Sequence, residues 1–190
     1  MSTTNAPYGF TPIWHPSGEI RARALPNGIS AAYGTAILTN QPVLLNNGVL
    51  NPCNAGATDF IGVFAGVSFT PTGGRPIWSP QWVASVPFVA GSLTAYYYED
   101  PAIIYACQAD GSLEQTSIGD QADISNFTAG STITGLSQAT LSTTLVTAGS
   151  QGQWRIEGLH PVPGNDWGDT YTQVQVTIAR SQYVANKVAI

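Results

Sequence analysis

The chain has 190 residues, of which 43% are hydrophobic but only 9% are charged, and its formal net charge at pH 7 is -5. Charged residues usually make up about a quarter of a globular protein, yet the ordinary hydrophobic share excludes a disordered chain and favours one domain with a buried core. The chain has six Lys and Arg but eleven Asp and Glu. The composition therefore offers no basic surface for phosphates, and nucleic acid is not expected as a direct partner.

Residues 1–30 are predicted to form an extended, Pro-rich N-terminal arm, followed by a β-rich domain over residues 31–190. Four prolines interrupt the arm, at Pro7, Pro12, Pro16 and Pro26. Because proline fixes φ and lacks an N–H donor, neither a continuous strand nor a helix is expected there. The arm also carries four apolar side chains, Tyr8, Phe10, Ile13 and Trp14. These are too apolar for a freely solvated tail, so the arm must lie either on its own domain or on a neighbouring subunit.

The remaining residues predict an all-β fold, an antiparallel sandwich or barrel. Glu, Lys and Met are rare in the chain, whereas Gly and Pro recur throughout it, a composition that does not support amphipathic helices. The dipeptide Asn47-Gly48 stands between two apolar runs and predicts a two-residue hairpin turn. Further turn signals recur at the spacing of the short strands in a sandwich or barrel.

The middle of the chain contains three nearly continuous apolar runs, at residues 60–69, 82–89 and 93–107. Such runs predict strands that are covered on both faces, by a second sheet or by another subunit. Gly62 and Gly66 interrupt the first run. Glycine inside a strand indicates a bulge, a close backbone approach or a barrel corner.

Apolar and polar residues alternate in three later segments, at residues 139–147, 154–157 and 170–178. A period of two is typical of half-buried strands with one polar face, so these segments predict a solvated antiparallel sheet. The Gly- and Ser-rich stretch 129–135 that precedes them is predicted as a possible subdomain boundary.

The sequence offers few residues for catalysis, and no enzyme activity, cofactor or metal is predicted. His15 and His160 are the two histidines, and each is predicted to be a packed or surface residue rather than a base. No nucleophile elbow, phosphate-binding loop or dinucleotide-binding motif is present. Acidic residues occur in pairs, Glu99 with Asp100, Asp110 with Glu114, Asp120 with Asp123, and Asp166 with Asp169. Turn capping is the favoured interpretation of these pairs, with calcium binding or catalysis as the alternatives.

The cysteine count and the N-terminal residues indicate in which cellular compartment the protein is expected. Cys53 and Cys107 are too few for a disulfide framework and lack zinc-site spacing, so they are predicted to be free buried thiols rather than a bridge or ligands. No apolar run is long enough to span a membrane, and the first residues lack the charged and apolar regions of a secretory signal. We therefore expect neither a membrane-spanning nor a conventionally secreted protein.

Aromatic side chains are the other candidates for a functional role. Tyr96, Tyr97 and Tyr98 are consecutive, and alternation along a strand puts neighbouring rings on opposite faces. At least one ring should therefore face away from the domain's own core. Exposed rings could form a sugar-stacking platform, whereas buried rings could anchor a subunit interface.

The order of several short motifs resembles the capsid decoration (cement) proteins of tailed bacteriophages, over most of the chain. The motifs are 6–12 (APYGFTP), 61–67 (IGVFAGV), 95–101 (AYYYEDP), 108–111 (QADG), 118–123 (IGDQAD) and 165–167 (NDW). The chain departs from the family at 179–183 (ARSQY), where the family often has a more polar Asn and His pair.

The resemblance implies a non-enzymatic virion protein on the outer surface of an expanded capsid, assembled in the host cytoplasm. It would bind as a symmetric oligomer, expected to be a homotrimer, and would bridge neighbouring major capsid subunits. On this hypothesis Tyr8, Phe10, Ile13 and Trp14 anchor the arm across a neighbouring capsid or decoration subunit, and part of 93–107 faces a sister protomer. The alternatives are another phage structural component, of the tail or a fibre, and a carbohydrate-binding β-sandwich module.

Overall fold

The computed structural model describes residues 2–30, 33–53 and 60–183, and this part of the chain is all-β, as predicted. Its strands form two six-stranded antiparallel sheets and one two-stranded ribbon, with a 3-10 turn at Gln115–Ser117. In chain order the strands are β1 (Thr11–Trp14), β2 (Arg23–Pro26), β3 (Pro42–Asn46), β4 (Val49–Pro52), β5 (Gly62–Phe69), β6 (Ile77–Ser79), β7 (Thr94–Tyr98), β8 (Ile104–Gln108), β9 (Gln121–Ser125), β10 (Gly130–Ser131), β11 (Leu136–Ser137), β12 (Thr140–Leu145), β13 (Trp154–Leu159) and β14 (Gln173–Ile178).

Each large sheet is built mainly from one part of the chain. Sheet A has the strand order β1-β8-β14-β13-β9-β12, and sheet B has the order β2-β7-β5-β3-β4, with β6 paired to β5. After β7 the chain leaves sheet B and enters sheet A at β8, while β1 joins sheet A from the N-terminal side. An isolated bridge between Ala109 and Leu141 connects the end of β8 with the edge strand β12, so sheet A curls toward a barrel.

Two hydrophobic clusters lie on the two faces of sheet B. In the first cluster Val63 of sheet B packs with Tyr105 and Trp154 of sheet A, so this core joins the two sheets. In the second cluster Phe64 packs on the opposite face with Trp82, which lies outside the strands. The central strands are therefore covered on both faces, as predicted. A second sheet covers one face, whereas connecting segments, rather than a sheet or another subunit, cover the other.

The alternating segments form strands of sheet A, as predicted. In β14, Val174 and Val176 are fully buried, whereas Gln173 and Gln175, which alternate with them, are half-buried. The Asn47-Gly48 hairpin is also confirmed, because it joins β3 to β4 with a positive φ at both residues, 49° and 80°. That pair of angles is the signature of a type I′ turn.

Two of the apolar runs differ from the prediction. Residues 82–89 do not form a strand and are connected to their neighbours by isolated bridges at Trp82 and Phe88. A strand is prevented there because Ser85 has a φ of 59° and Pro87 has no N–H to donate. The run at 93–107 is divided into β7 and β8 by a turn at the Asp100-Pro101 dipeptide.

The glycines of β5 confirm the predicted bulge and close approach. The pairing of β5 with β7 shifts register between Phe64 and Gly66. A Cβ at Gly66 would lie 2.8 Å from the ring of Trp78, and one at Gly62 would lie 1.8 Å from the carbonyl oxygen of Tyr98. Only glycine lets the neighbouring strands pack this closely.

Candidate interaction surfaces

The first residues of the arm lie on the arm's own domain. Residues 2–8, here called the strap, cross the ends of β8 and β14. The Ala6 N–H donates to Oε1 of Gln108 at 3.0 Å, and Nε2 of Gln108 donates to the Thr4 carbonyl at 3.0 Å. One glutamine of sheet A therefore holds the strap through both the oxygen and the nitrogen of its side-chain amide.

A carboxylate holds the start of the strap. The N–H groups of Ser2 and Asp166 both donate to Oδ2 of Asp169. These bonds, with the Ser2 bond contributing most, hold the pKa of the Asp169 carboxyl below its ordinary value. The contact with Asp166 is the turn capping predicted for this acidic pair, and the contact with Ser2 ties the N-terminus to the β13–β14 connection.

Two of the predicted anchors, Tyr8 and Phe10, are used within the molecule. The Tyr8 hydroxyl donates to Oε1 of Gln173 at 3.1 Å, and burial raises the pKa of this phenol well above its ordinary value. Phe10 is fully buried and stacks on Trp154, with ring centroids 4.4 Å apart. In this structure neither ring is free to anchor the arm on another subunit.

Trp14 is the predicted anchor that the structure leaves accessible. It is 52% exposed, whereas the neighbouring Ile13 is half-buried. Its backbone is fixed, because β1 is the edge strand of sheet A and Trp14 pairs with Ile104 of β8. Trp14 is therefore a large apolar side chain held on a rigid strand.

The residue after Trp14 is also fastened. The Ser17 N–H donates to Nδ1 of His15 at 3.1 Å, and Nε2 of His15 is hydrogen-bonded to Oδ2 of Asp100 at 3.1 Å. The other oxygen of Asp100 accepts the Ala102 N–H at 2.8 Å, as expected for a turn-capping carboxylate. This contact joins the end of β1 to the turn between β7 and β8.

Charged groups border this end of the molecule, and they are paired. Two ion pairs link the segment after Trp14 internally or to the β7–β8 turn: Glu19 with Arg21 (2.6 Å) and Arg23 with Glu99 (2.7 Å). Exposed pairs of this kind add little to stability. Polar and charged groups of this kind are typical of the rim of a protein–protein contact.

The three consecutive tyrosines alternate between faces, as predicted. Tyr97 is 1% exposed and belongs to the second hydrophobic cluster. Tyr96 and Tyr98 point to the opposite face and are half-buried; Tyr98 packs against the first cluster, and the Tyr96 hydroxyl lies 3.3 Å from Oγ of Ser68. None of these rings is largely exposed.

A second accessible apolar area, here called the hairpin surface, involves residues that the sequence did not single out as contacts. It comprises Ile133, at the tip of the β10–β11 ribbon and 94% exposed, Trp78 (61%) and Val83 (46%). Nε2 of Gln81, between Trp78 and Val83 in the chain, donates to the Thr132 carbonyl at 2.9 Å and so attaches the segment to the ribbon. Exposed apolar side chains on segments that are held together in this way are typical of interaction sites.

Charge is almost absent from the stretches that build the hairpin surface. No Asp, Glu, Lys or Arg occurs in residues 24–58 or 124–154, and Arg75 is the one charged residue of 60–98. Depletion of charge is characteristic of the centre of protein interfaces. These uncharged tracts were the available sequence signal for this surface, whereas its exposure depends on contacts that the sequence pattern does not show.

The structure also shows the surroundings of the other residues that the sequence analysis singled out. Cys53 and Cys107 are free and buried, as predicted, and burial raises the pKa of both thiols, that of Cys53 to about 12. Burial lowers the pKa of the His160 imidazole. Asp110 uses Oδ1 to accept the N–H and the hydroxyl of Thr143 at 2.9 Å. Within residues 2–30, 33–53 and 60–183, no group of three or more His, Cys, Asp or Glu side chains could hold a metal ion.

No protein-family model matches the chain, and comparison with curated proteins and with solved structures gives no match either. In the described part of the chain, no helix is long and apolar enough to cross a membrane.

Proposed function

We propose that the protein is a non-enzymatic virion protein that binds the outer surface of a tailed-bacteriophage capsid and bridges its major capsid subunits. One observation carries this proposal: the β framework presents two exposed tryptophans, Trp14 and Trp78, on short edge strands of different sheets. Tryptophan is enriched among the residues that dominate binding energy. A rigid body with two separate apolar contacts can connect two partners.

The two tryptophans lie at opposite ends of β7. Trp14 is next to His15, which bonds to the turn after Tyr98, whereas Trp78 pairs with Ser68, itself the partner of Thr94. The length of β7 alone separates the two places by roughly 13 Å. They therefore do not form one continuous row of rings, the arrangement expected of a sugar-stacking platform.

The charge distribution supports binding to a flat protein surface. The ion pairs of the segment after Trp14 are closed within the protein, and the hairpin surface comes from nearly uncharged stretches. Removing an unpaired charge from water is costly. Docking such surfaces buries few unpaired charges and so avoids most of this cost. In this proposal Trp14 contacts the major capsid protein, and a second contact lets each molecule bind more than one neighbour. Linked weak contacts then add up to stable retention.

The test is co-sedimentation of the purified protein with capsids that lack it, in the unexpanded and the expanded forms. We expect saturable binding to the expanded form, and we expect Trp14→Ala to weaken it about tenfold or more. Ile118→Ala is the matched control, because Ile118 is 46% exposed and lies on a different loop. Binding to neither form would overturn the proposal and favour a tail or fibre component. Binding to glycans with a shift in tryptophan fluorescence would favour the carbohydrate-binding alternative.

A further inference from the structure

The tip of the β10–β11 ribbon presents a single apolar knob. The Ile133 N–H donates to Oγ of Ser131 at 3.2 Å, and the Gly135 N–H donates to the Ser131 carbonyl at 2.8 Å, so the turn is ordered by its own bonds. The Ile133 side chain is nevertheless 94% exposed. A partner that covered this side chain would remove apolar surface from water, which is a favourable change.

An apolar cleft of about 170 Å³ opens on the same ribbon, between β10 and residues 35–41. Leu38, Ala36 and Pro52 provide apolar walls, and a Leu38 methyl packs against Gly130 in the space that a side chain at this glycine would need. Gln41 also lines the cleft, but Oε1 accepts the Leu38 N–H and Nε2 donates to the Phe127 carbonyl. The amide therefore has its partners already, and the cleft suits an apolar occupant.

The size and position of the cleft match the knob of another molecule. An apolar cavity of about 150 Å³ accommodates benzene, so 170 Å³ is enough for the four carbons of an isoleucine side chain. Ile133 does not occupy the cleft of its own molecule, because it is almost fully exposed. A knob and a cleft at different places on one ribbon are the elements of a self-complementary contact.

Charge favours a second copy as the occupant. The molecule carries a net charge of -5, and like charges oppose association through its charged faces. The cleft and the knob come from residues 24–58 and 124–154, which contain no charged side chain. Two copies that meet here bring no charged side chain from these stretches into the contact.

We infer that copies of this chain associate through the ribbon, with Ile133 of one molecule inserted into the Leu38–Gly130 cleft of its neighbour. The inference deepens the proposed function, because self-association supplies the second contact that bridging requires. It can be tested without a capsid.

The experiment compares two variants by native mass spectrometry and sedimentation velocity. Ile133→Asp removes the knob, and Thr35→Arg blocks the cleft at an exposed position on its wall. We expect the wild type to form a closed oligomer and each variant alone to weaken association roughly 30-fold or more, as for a hot-spot residue. Ile118→Asp is the control that leaves assembly unchanged.

A mixture of the two variants is the decisive sample. The Thr35→Arg molecule keeps a knob and the Ile133→Asp molecule keeps a cleft, so the mixture should give a one-to-one pair of unlike molecules. Assembly of either variant alone, or no mixed pair, would overturn the inference, as would a wild type that stays monomeric at every concentration. Circular dichroism of each variant confirms that the fold is intact.

Capsid co-sedimentation separates this inference from the proposed function. A wild type that self-associates through the ribbon but binds no capsid would overturn the proposed function alone. A wild type that binds capsids, with Ile133→Asp binding equally well and sedimenting as the wild type does, would overturn the self-association alone.

Discussion

The Phe10 ring stacks on the Trp154 indole with an interplanar angle of 7°, and this contact inserts an N-terminal side chain into the core between the two sheets. Tyr105 meets the same indole edge-on at 5.1 Å. Because Phe10 is fully buried, its residue belongs to the folded domain rather than to a detachable arm.

Replacing Phe10 should therefore destabilise the protein. We expect Phe10→Ala to lower the free energy of unfolding by about 3–5 kcal/mol, the usual cost of deleting a buried phenylalanine. Trp14→Ala should lower it by less than about 1 kcal/mol, because Trp14 is 52% exposed. Urea unfolding monitored by circular dichroism measures both values, and equal effects of the two variants would contradict this account.

The backbone approach at Gly62 should tolerate no side chain. A Cβ there would lie 1.8 Å from the Tyr98 carbonyl oxygen, and a backbone atom in a paired strand cannot move aside without disturbing the sheet. We expect Gly62→Ala to cost at least about 2 kcal/mol of unfolding free energy. Gly158→Ala is the matched control within a strand, since nothing lies within 4 Å of its added Cβ. A thermal shift no larger for Gly62→Ala than for the control would show that β5 and β7 can separate at low cost.

The two thiols should be unreactive in the native protein. Only the thiolate attacks disulfide reagents, and burial raises the pKa of both Cys53 and Cys107. At pH 8 we expect a chromogenic disulfide reagent to modify the native protein at least about 100-fold more slowly than the protein in guanidinium. Rapid modification of one native thiol would show that its side chain is accessible.

The strap should be released in acid. The lowered pKa of Asp169 means that its bond to Ser2 contributes fully above the ordinary carboxyl value of about 4 and is lost as the pH falls through the lowered folded value. Amide shifts of Ala6 and Tyr171, followed by NMR from pH 6 to pH 2, should therefore change with a midpoint below 4.

Asp169→Asn removes the titrating group and provides the control. In this variant the acid transition of the Ala6 and Tyr171 amides should disappear, while the rest of the spectrum keeps its own pH dependence. A midpoint at or above 4 in the wild type, or an unchanged transition in Asp169→Asn, would show that another group governs the strap.

Local patterns were sufficient for many of the strands. The alternation in β14, the Asn47-Gly48 turn and the glycine bulge of β5 each depend on residues close in sequence, and the structure contains all three. Residues 82–89 show the limit of this approach. Apolar side chains of this segment pack on the second face of sheet B, but the segment does not form a strand. A buried strand and a connecting segment that packs on a sheet have similar apolar runs in sequence.

The candidate surfaces were harder to predict, because exposure is set by contacts between distant residues. Among the four apolar residues of the arm, Phe10 is buried by Trp154, whereas Trp14 is 52% exposed. Ile133 stands alone among Thr, Ser and Gly, and its sequence pattern does not distinguish a buried isoleucine from an exposed one. The ribbon that carries Ile133 is formed because β10 pairs with Leu136 and Ser137 of β11.

The stacking of Phe10 on Trp154 also has a consequence for synthesis on the ribosome. Sheet B is complete once residue 98 has emerged, but β1 has no partner until β8 appears, and the Phe10 ring has no platform until β13 has been made. Contacts between distant residues form slowly, so the N-terminal aromatic side chains stay exposed in the nascent chain for most of translation. Chains released before residue 154 would carry an unsatisfied apolar N-terminus, and they would be the species most prone to aggregation.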